Sequence, residues 1–389
     1  MLEAPILAAP QTKGHVSVAR LARHWYVACR SKELGTRPLA RTLLGIPMAL
    51  FRADGGHAAA VLDRCPHRNV PLSLGQVVKP GRIECPYHGW QFDGAGRCTL
   101  VPGLCAGDGG TERRAPAFAT RERDGFVWVY PTADEEPQSE PEPLPHVTAP
   151  GYTTVVREVA MDCTLHASVE NALDVPHTAF LHRGLFRGTG ARNEITAIVR
   201  QSRRGVEAEY VGEPRPPGLA GRLLSPSGGI VQHWDRFVLP SIAQVEYRLG
   251  SENHLLVTSL CTPVSDFETR MFAVVSFRLR VPGVLVRPLL TPVAMRIFRQ
   301  DAAVLKLQSE TIRRFGGEQF MSTEIDVLGP AIWRLLKQAE AGALPVSDEP
   351  EVVRDSGAVF VWDGNYLPGP WLVSQALDQA AERIAQHGV

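Results

Sequence analysis

The chain has no charge excess of either sign: among 389 residues, Lys and Arg number 41 and Asp and Glu number 41. A nucleic-acid binder is expected to carry a basic surplus, so that class is set aside. Cysteine is scarce, with seven residues, an odd count spread over a long chain, which does not suit a disulfide framework. The N-terminus lacks the basic start and apolar run of a secretory signal. No uninterrupted apolar run reaches the roughly 20 residues that a membrane span needs. The most apolar late stretch, 281–297, is broken by Arg287, Arg296, Pro282, Pro288 and Pro292. These absences lead to the expectation of a cytoplasmic protein with no membrane span.

What is present is the composition of a globular protein. Apolar residues make up 44% and charged residues 21%, which excludes a mostly disordered chain. The length predicts about two or three domains. The clearest break is 131–150, rich in proline (131, 137, 141, 143, 145, 150) and in acids (Asp134, Glu135, Glu136, Glu140, Glu142). Missing backbone donors and mutual repulsion of the acids make this an expected linker. The expected division is a tail at 1–20, a first domain at 21–130, the linker at 131–150 and a second domain at 151–389.

The first domain reads as β-rich, with short β-branched or apolar runs at 61–63, 82–85 and 125–130 separated by Gly and Pro turns. In the second, 191–211, 230–249, 253–262 and 270–280 read as strands. Helices are expected at 163–173, 301–315, 331–341 and 372–387. Strands followed by helices argue for an α+β class and against a βαβ repeat.

Four of the seven cysteines lie between Cys65 and Cys105, and that clustering invites a metal reading. Cys65-Pro66-His67 is followed by 17 residues and then Cys85-Pro86-Tyr87-His88. Two thiolates and two imidazoles can bind tetrahedral zinc or hold an iron–sulfur cluster. The order of the residues favours the cluster. In a Rieske centre one iron takes two Cys and the other two His, so two loops with one of each clamp it from both sides. The C-x-x-C pair of a common zinc finger is absent here. Gly89 lets the backbone pass close to such a cluster.

A second group contains His177 and His182. Five residues of α-helix turn by about 140°, so on a straight helix the two rings do not share a face. Pro176 disfavours helix at Val175 and is expected to break or distort it, which can bring both imidazoles to one point. Two His and one carboxylate form the facial triad of non-haem Fe(II) oxygenases. Taken alone, this pair reads better as core or surface histidines.

The segments Cys65-Pro-His-Arg and Cys85-Pro-Tyr-His-Gly-Trp-Gln-Phe-Asp resemble the Rieske motif of the Rieske non-haem iron oxygenases, and Asp174-x-x-His177-x4-His182 resembles the mononuclear iron motif of the same family. Respiratory-type Rieske proteins carry an extra Cys in each ligand loop; here those positions hold Asn69 or Val70 and Tyr87. Further similarity lies in His24-Trp25-Tyr26-Val27-Ala28, in Ser31 to Leu34 and in Leu260 to Ser265. The first two resemble the opening of the Rieske domain in many members, and the last resembles a strand end of the branch that contains pheophorbide oxygenases, ketosteroid hydroxylases and aminopyrrolnitrin oxygenase.

The resemblance implies a β-rich Rieske [2Fe-2S] domain followed by an α+β catalytic domain with a curved antiparallel sheet flanked by helices, of helix-grip type. It assigns Cys65, His67, Cys85 and His88 to the cluster, and His177, His182 and Asp301 to a mononuclear Fe(II), with Asp326 the alternative carboxylate. Asp174 is implied as the bridge from His177 to His88 of a neighbouring subunit, and Asn171 matches an Asn often found near the iron. Cys98 and Cys105 read as packed thiols and His166 as structural.

The function so implied is a terminal oxygenase in a ring-shaped homotrimer. It uses O2 and electrons that originate in NAD(P)H and arrive from a separate reductase, directly or through a ferredoxin. No G-x-G-x-x-G between strand and helix marks a nicotinamide site in this chain. The expected reaction is hydroxylation of a bulky, largely apolar cyclic metabolite, with O- or N-demethylation or desaturation as alternatives. A Rieske electron carrier with an appended binding domain and a zinc-stabilised binding protein are the rivals from other classes. The Pro/Gly-rich segment 215–230 could cover a pocket entrance. Trp234, Phe237, Leu239 and Phe272 lie on candidate pocket strands, core packing being their plainer reading.

Overall fold

The computed structural model describes residues 16–104, 113–182, 195–213, 231–250, 253–344 and 349–356. The expectations for 215–230, 372–387 and Cys105 therefore lie outside the described residues. The chain divides into two compact units. One comprises Arg20–Leu144 with Thr262–Asp266, and the other contains Pro145–Cys261 and the residues from Phe267 onward.

The first unit is all β apart from short 3-10 turns. Its strands are β1 (Tyr26–Arg30), β2 (Leu39–Leu43), β3 (Ile46–Arg52), β4 (Ala58–Leu62), β5 (Gln76–Val78), β6 (Arg82–Glu84), β7 (Gln91–Phe92), β8 (Cys98–Leu100), β9 (Ala117–Arg123) and β10 (Phe126–Ala133). They form a six-stranded sheet in the order β1-β10-β9-β4-β3-β2 and a four-stranded sheet β5-β6-β7-β8. The period-2 alternation of a strand puts successive side chains on opposite faces. In β3, Met48 and Leu50 enter one core with Tyr26, Val127 and Val129. Ala49 and Phe51 enter the other, with Leu72, Ile83 and Phe92. This second core contains Cys65, Cys85 and Cys98, all buried. Full burial of an aromatic such as Phe51 or Phe92 stabilises by about 2–3 kcal/mol, so the thiols are anchored in a rigid layer.

The second unit has β11 (Thr153–Met161), β12 (Thr196–Gln201), β13 (Gly205–Val211), β14 (Gln232–Val238), β15 (Ile242–Leu249), β16 (Asn253–Ser265), β17 (Glu268–Arg278) and β18 (Glu351–Ser356). Their order is β11-β17-β16-β15-β14-β13-β12-β18, and the pairings resolved along it are antiparallel. The stretches 191–211 and 230–249, read from the sequence as single strands, each contain a hairpin. Ser202 and Gly205 close the first, with Ser202 N–H donating to Gly205 C=O at 2.9 Å.

The helices are α1 (Leu165–Ala172), α2 (His177–Phe180), α3 (Gly283–Phe315) and α4 (Gly329–Glu340). Thr164 caps α1, its side chain accepting Ala167 N–H at 3.1 Å. In α4, Ile332, Leu335 and Leu336 recur at the spacing of one helix face and are fully buried. Helix α3 is much longer than the 301–315 expected, because it begins 18 residues earlier and continues through Pro288 and Pro292. No helix among the described residues is long and apolar enough to cross a membrane.

Candidate metal centres

The two Cys/His loops repeat one backbone design. In the first, Cys65 N–H donates to Val70 C=O at 2.9 Å and Asn69 N–H to Cys65 C=O at 2.8 Å. In the second, Cys85 N–H donates to Trp90 C=O at 2.8 Å and Gly89 N–H to Cys85 C=O at 3.1 Å. The residue four positions after each cysteine takes a left-handed conformation, φ 64° at Asn69 and 69° at Gly89. Asparagine and glycine tolerate that region best. At Gly89 a Cβ would also sit 3.0 Å from Pro102 Cγ, so a side chain there would crowd the neighbouring loop.

These loops bring His67 and His88 together, with ring centroids 4.5 Å apart, and stack His67 on Trp90 at 4.7 Å. Burial, with Cys85 adding to it, pushes the Cys65 thiol up to about 11. His67 Nδ1 is buried and has no hydrogen-bond partner. Desolvation, then the adjacent His88, holds the His67 ring below the ordinary imidazole value, in its neutral form. A lone pair shielded from water with no donor is unfavourable unless something binds it. Two thiols and two imidazoles around such an atom fit an iron–sulfur cluster with mixed ligation. Cys98 stands apart in β8, its thiol donating to Leu100 C=O at 3.5 Å.

The second centre is built by a broken helix. Helix α1 ends at Ala172, a turn follows, and Pro176 precedes α2. The break rotates His177 and His182 onto one point, with their Nε2 atoms 3.2 Å apart. Asp301, in the middle of α3, places Oδ1 3.1 Å from His182 Nε2 and 3.5 Å from His177 Nε2. The three ligand atoms all lie within 4.8 Å of one another.

Partners on the far side of each ring set the tautomers. His177 Nδ1 donates to Asp174 C=O, and Asp174 Oδ2 lies 3.6 Å away. His182 Nδ1 donates to Gln300 Oε1 at 3.0 Å. Both Nε2 lone pairs therefore face each other and a carboxylate, an arrangement that calls for positive charge between them. Asp301 Oδ1 is buried without a hydrogen-bond partner. A proton meets part of this demand. Burial alone would lower His177, but Asp174 and Asp301 outweigh it and raise its pKa to about 9. Burial would raise Asp301, but His177 and His182 hold it below the usual carboxylate range. A divalent iron fits the same donor set, two imidazoles and one carboxylate.

The other expected residues fall as follows. Asp326 does not join the triad and accepts from Thr323 N–H at 2.6 Å and Thr323 Oγ1 at 3.2 Å. Asn171 is half-buried in the last turn of α1, and its carbonyl accepts Asp174 N–H at 3.3 Å. His166 is buried, with Nε2 3.4 Å from Gly329 C=O. Phe237 and Phe272 are fully buried. Trp234 points to the opposite face of β14 from Phe237, under Arg236 and Arg248.

Sequence reasoning missed Gln300, whose only signal was its place beside Asp301. It also missed the buried His233, which lies 2.7 Å from Glu213 and 2.9 Å from Asp235 and between the rings of Tyr210 and Tyr247. Burial would lower its pKa, but the two carboxylates raise it to about 9. The charge of Asp174 reaches Tyr210, so this cluster stands within electrostatic range of the triad's partner. Tyr210 and His233 also line an open recess of about 530 Å3.

Residues 24–108 match the Rieske [2Fe-2S] domain, and residues 161–342 match the vanillate O-demethylase oxygenase C-terminal domain. The chain is 38% identical to the oxygenase component of dicamba O-demethylase from Stenotrophomonas maltophilia over 41% of its own length and 47% of the relative's. It is 37% identical to chlorophyllide a oxygenase from Chlamydomonas reinhardtii over 43% of its own length and 25% of that protein's. The match therefore spans about half or less of these two relatives. A longer one, covering 85% of the chain and 98% of the relative at 25% identity, is to the vanillate O-demethylase oxygenase subunit of a Pseudomonas strain. A crystal structure of dicamba monooxygenase bound to dicamba superposes with a TM-score of 0.69 at 25% identity, covering 83% of this chain and 98% of that one.

Proposed function

The chain belongs to the Rieske non-haem iron oxygenases, and from that premise we propose that it is the terminal oxygenase of a multicomponent system acting on a bulky, largely apolar cyclic metabolite. The observation that carries this reading is the convergence of His177, His182 and Asp301 in a chain that also holds the paired Cys/His loops. A Rieske electron carrier would have no use for the second cluster of ligands.

When bound, the [2Fe-2S] cluster supplies one-electron transfer and the mononuclear iron supplies O2 chemistry. The chain's own residues hold and orient those groups. Cys65, His67, Cys85 and His88 bind the cluster; His177, His182 and Asp301 bind the iron. Asp174 and Gln300 fix the two imidazole tautomers, so that Nε2 of each ring stays a donor to metal. Asn171 lies beside this turn and supports it. Electrons come from NAD(P)H through a separate reductase, with or without a ferredoxin. Hydroxylation is the preferred reaction. Demethylation is the second reading, because two of the relatives named above are O-demethylases. The setting is cytoplasmic.

Asp174 is the expected path between centres, its carboxylate joining His177 to His88 of a neighbouring chain. Asp174→Asn keeps the volume and removes the charge-assisted hydrogen bond. It is expected to retain both metal centres and to slow reoxidation of the cluster by at least about tenfold. Stopped-flow absorbance of the pre-reduced protein with O2 and substrate measures this, and an unchanged rate removes Asp174 from the path.

The assembly is a homotrimeric ring in which each iron is served by a neighbour's cluster. Two inactive chains, His67→Ala without cluster and Asp301→Ala without iron, should then restore turnover when co-expressed. Mixed assemblies that stay as inactive as either parent contradict the shared site.

A further inference from the structure

The N-terminal half of α3 is apolar, and within this chain it faces outward. Val284, Leu285 and Val293 keep 73%, 63% and 36% of their surface exposed. Val284, Pro288 and Pro292 follow one another at four-residue steps with Leu285 beside the first, so they form a single ridge about 12 Å long. The helix start is pinned against β11, since a Cβ on Gly283 would fall 2.0 Å from Thr153 Oγ1. The ridge therefore has a fixed outward direction.

Charge on this stretch is of one sign. From Gly283 to Gln300 the helix carries Arg287, Arg296 and Arg299 and no Asp, Glu or Lys, although the whole chain is neutral. Arg287, Arg296 and Arg299 are exposed on the helix that bears the ridge. Pro288 and Pro292 cannot donate, which leaves the carbonyls of Val284 and Pro288 without a helical partner. Such carbonyls are costly in hydrocarbon and readily solvated at headgroup depth, so the helix suits lying on a membrane and not crossing it.

We propose that this half-helix docks on the surface of an anionic lipid bilayer, its apolar ridge entering the acyl boundary and its arginines meeting the headgroup phosphates. Lipid phosphate complements both features of the face, the exposed apolar side chains and the arginines beside them. Docking would hold α3, which carries Asp301, where apolar molecules partition; that last point rests on the proposed function.

The test is flotation of the full-length, metal-loaded protein with vesicles of phosphatidylcholine alone or with about 30% phosphatidylglycerol. Binding is expected to the phosphatidylglycerol vesicles and to fall steeply at about 0.5 M salt. Leu285→Glu should weaken it by more than about tenfold, and Arg299→Gln by about fivefold. Both variants should keep the wild-type visible spectrum and melting temperature. The proposal is overturned by absence of binding to phosphatidylglycerol vesicles, or by equal binding of Leu285→Glu. It is equally overturned if Leu285→Glu melts well below wild type, which would show the ridge packed inside the chain. A smaller assembly for Leu285→Glu in light scattering without lipid would mean that a second copy covers the ridge, and would also overturn it.

Discussion

Asp301→Ala is expected to empty the mononuclear site and to abolish oxygenation while leaving the cluster's visible spectrum unchanged. Asp301 is the only anionic member of the triad, and its Oδ1 lies 3.1 Å and 3.5 Å from the two imidazole Nε2 atoms. Without it, two neutral rings held by Asp174 and Gln300 would face a cation with no charge compensation and no hard oxygen. Changing a partner of a ligand typically costs 10–100-fold in metal affinity, so losing a ligand itself should cost at least about 100-fold in bound iron and in single-turnover product. Asp326→Ala is the control, because that carboxylate caps a local turn at Thr323. Iron retained by Asp301→Ala and lost by Asp326→Ala would put the carboxylate on the wrong segment.

Cys85→Ser is expected to bleach the protein and leave the mononuclear iron in place. Cys85 is buried with Leu72, Ile83 and Phe92. Serine nearly matches its volume, so the fold should survive, and far-UV circular dichroism checks that it does. The change replaces a soft ligand with an alcohol that does not ionise in this range. Turnover with the reductase should drop by at least about 100-fold, since no electron is stored. A coloured, active Cys85→Ser protein would remove that residue from the cluster.

The parts of the molecule that were legible in the sequence are those where chemistry constrains short spacings. Cys65-x-His67 and Cys85-x-x-His88 report one loop each, and the hydrogen-bond repeat with Asn69 and Gly89 in the left-handed region gives the physical reason for those loops. Pro176 announced the break that aligns His177 and His182. Asp301 was reached by resemblance alone, because no local pattern links it to histidines more than a hundred residues earlier. The first half of α3 was missed because Pro288 and Pro292 read as breakers and its apolar residues show no single buried stripe. The hairpin inside 191–211 was missed because Arg203 and Arg204 are poor turn signals. Gln300 and the His233 cluster depend on register and tertiary contact. The step of two from His233 to Asp235 was the one visible hint that they share a strand face.

Metal and sulfide content test both centres together. Anaerobically purified wild type should contain about three irons and about two acid-labile sulfides per chain and be brown. Asp301→Ala should fall to about two irons with sulfide unchanged, and Cys85→Ser to about one iron with no sulfide. Zinc in place of iron, with no labile sulfide in a colourless wild-type protein, would contradict the assignment of both centres.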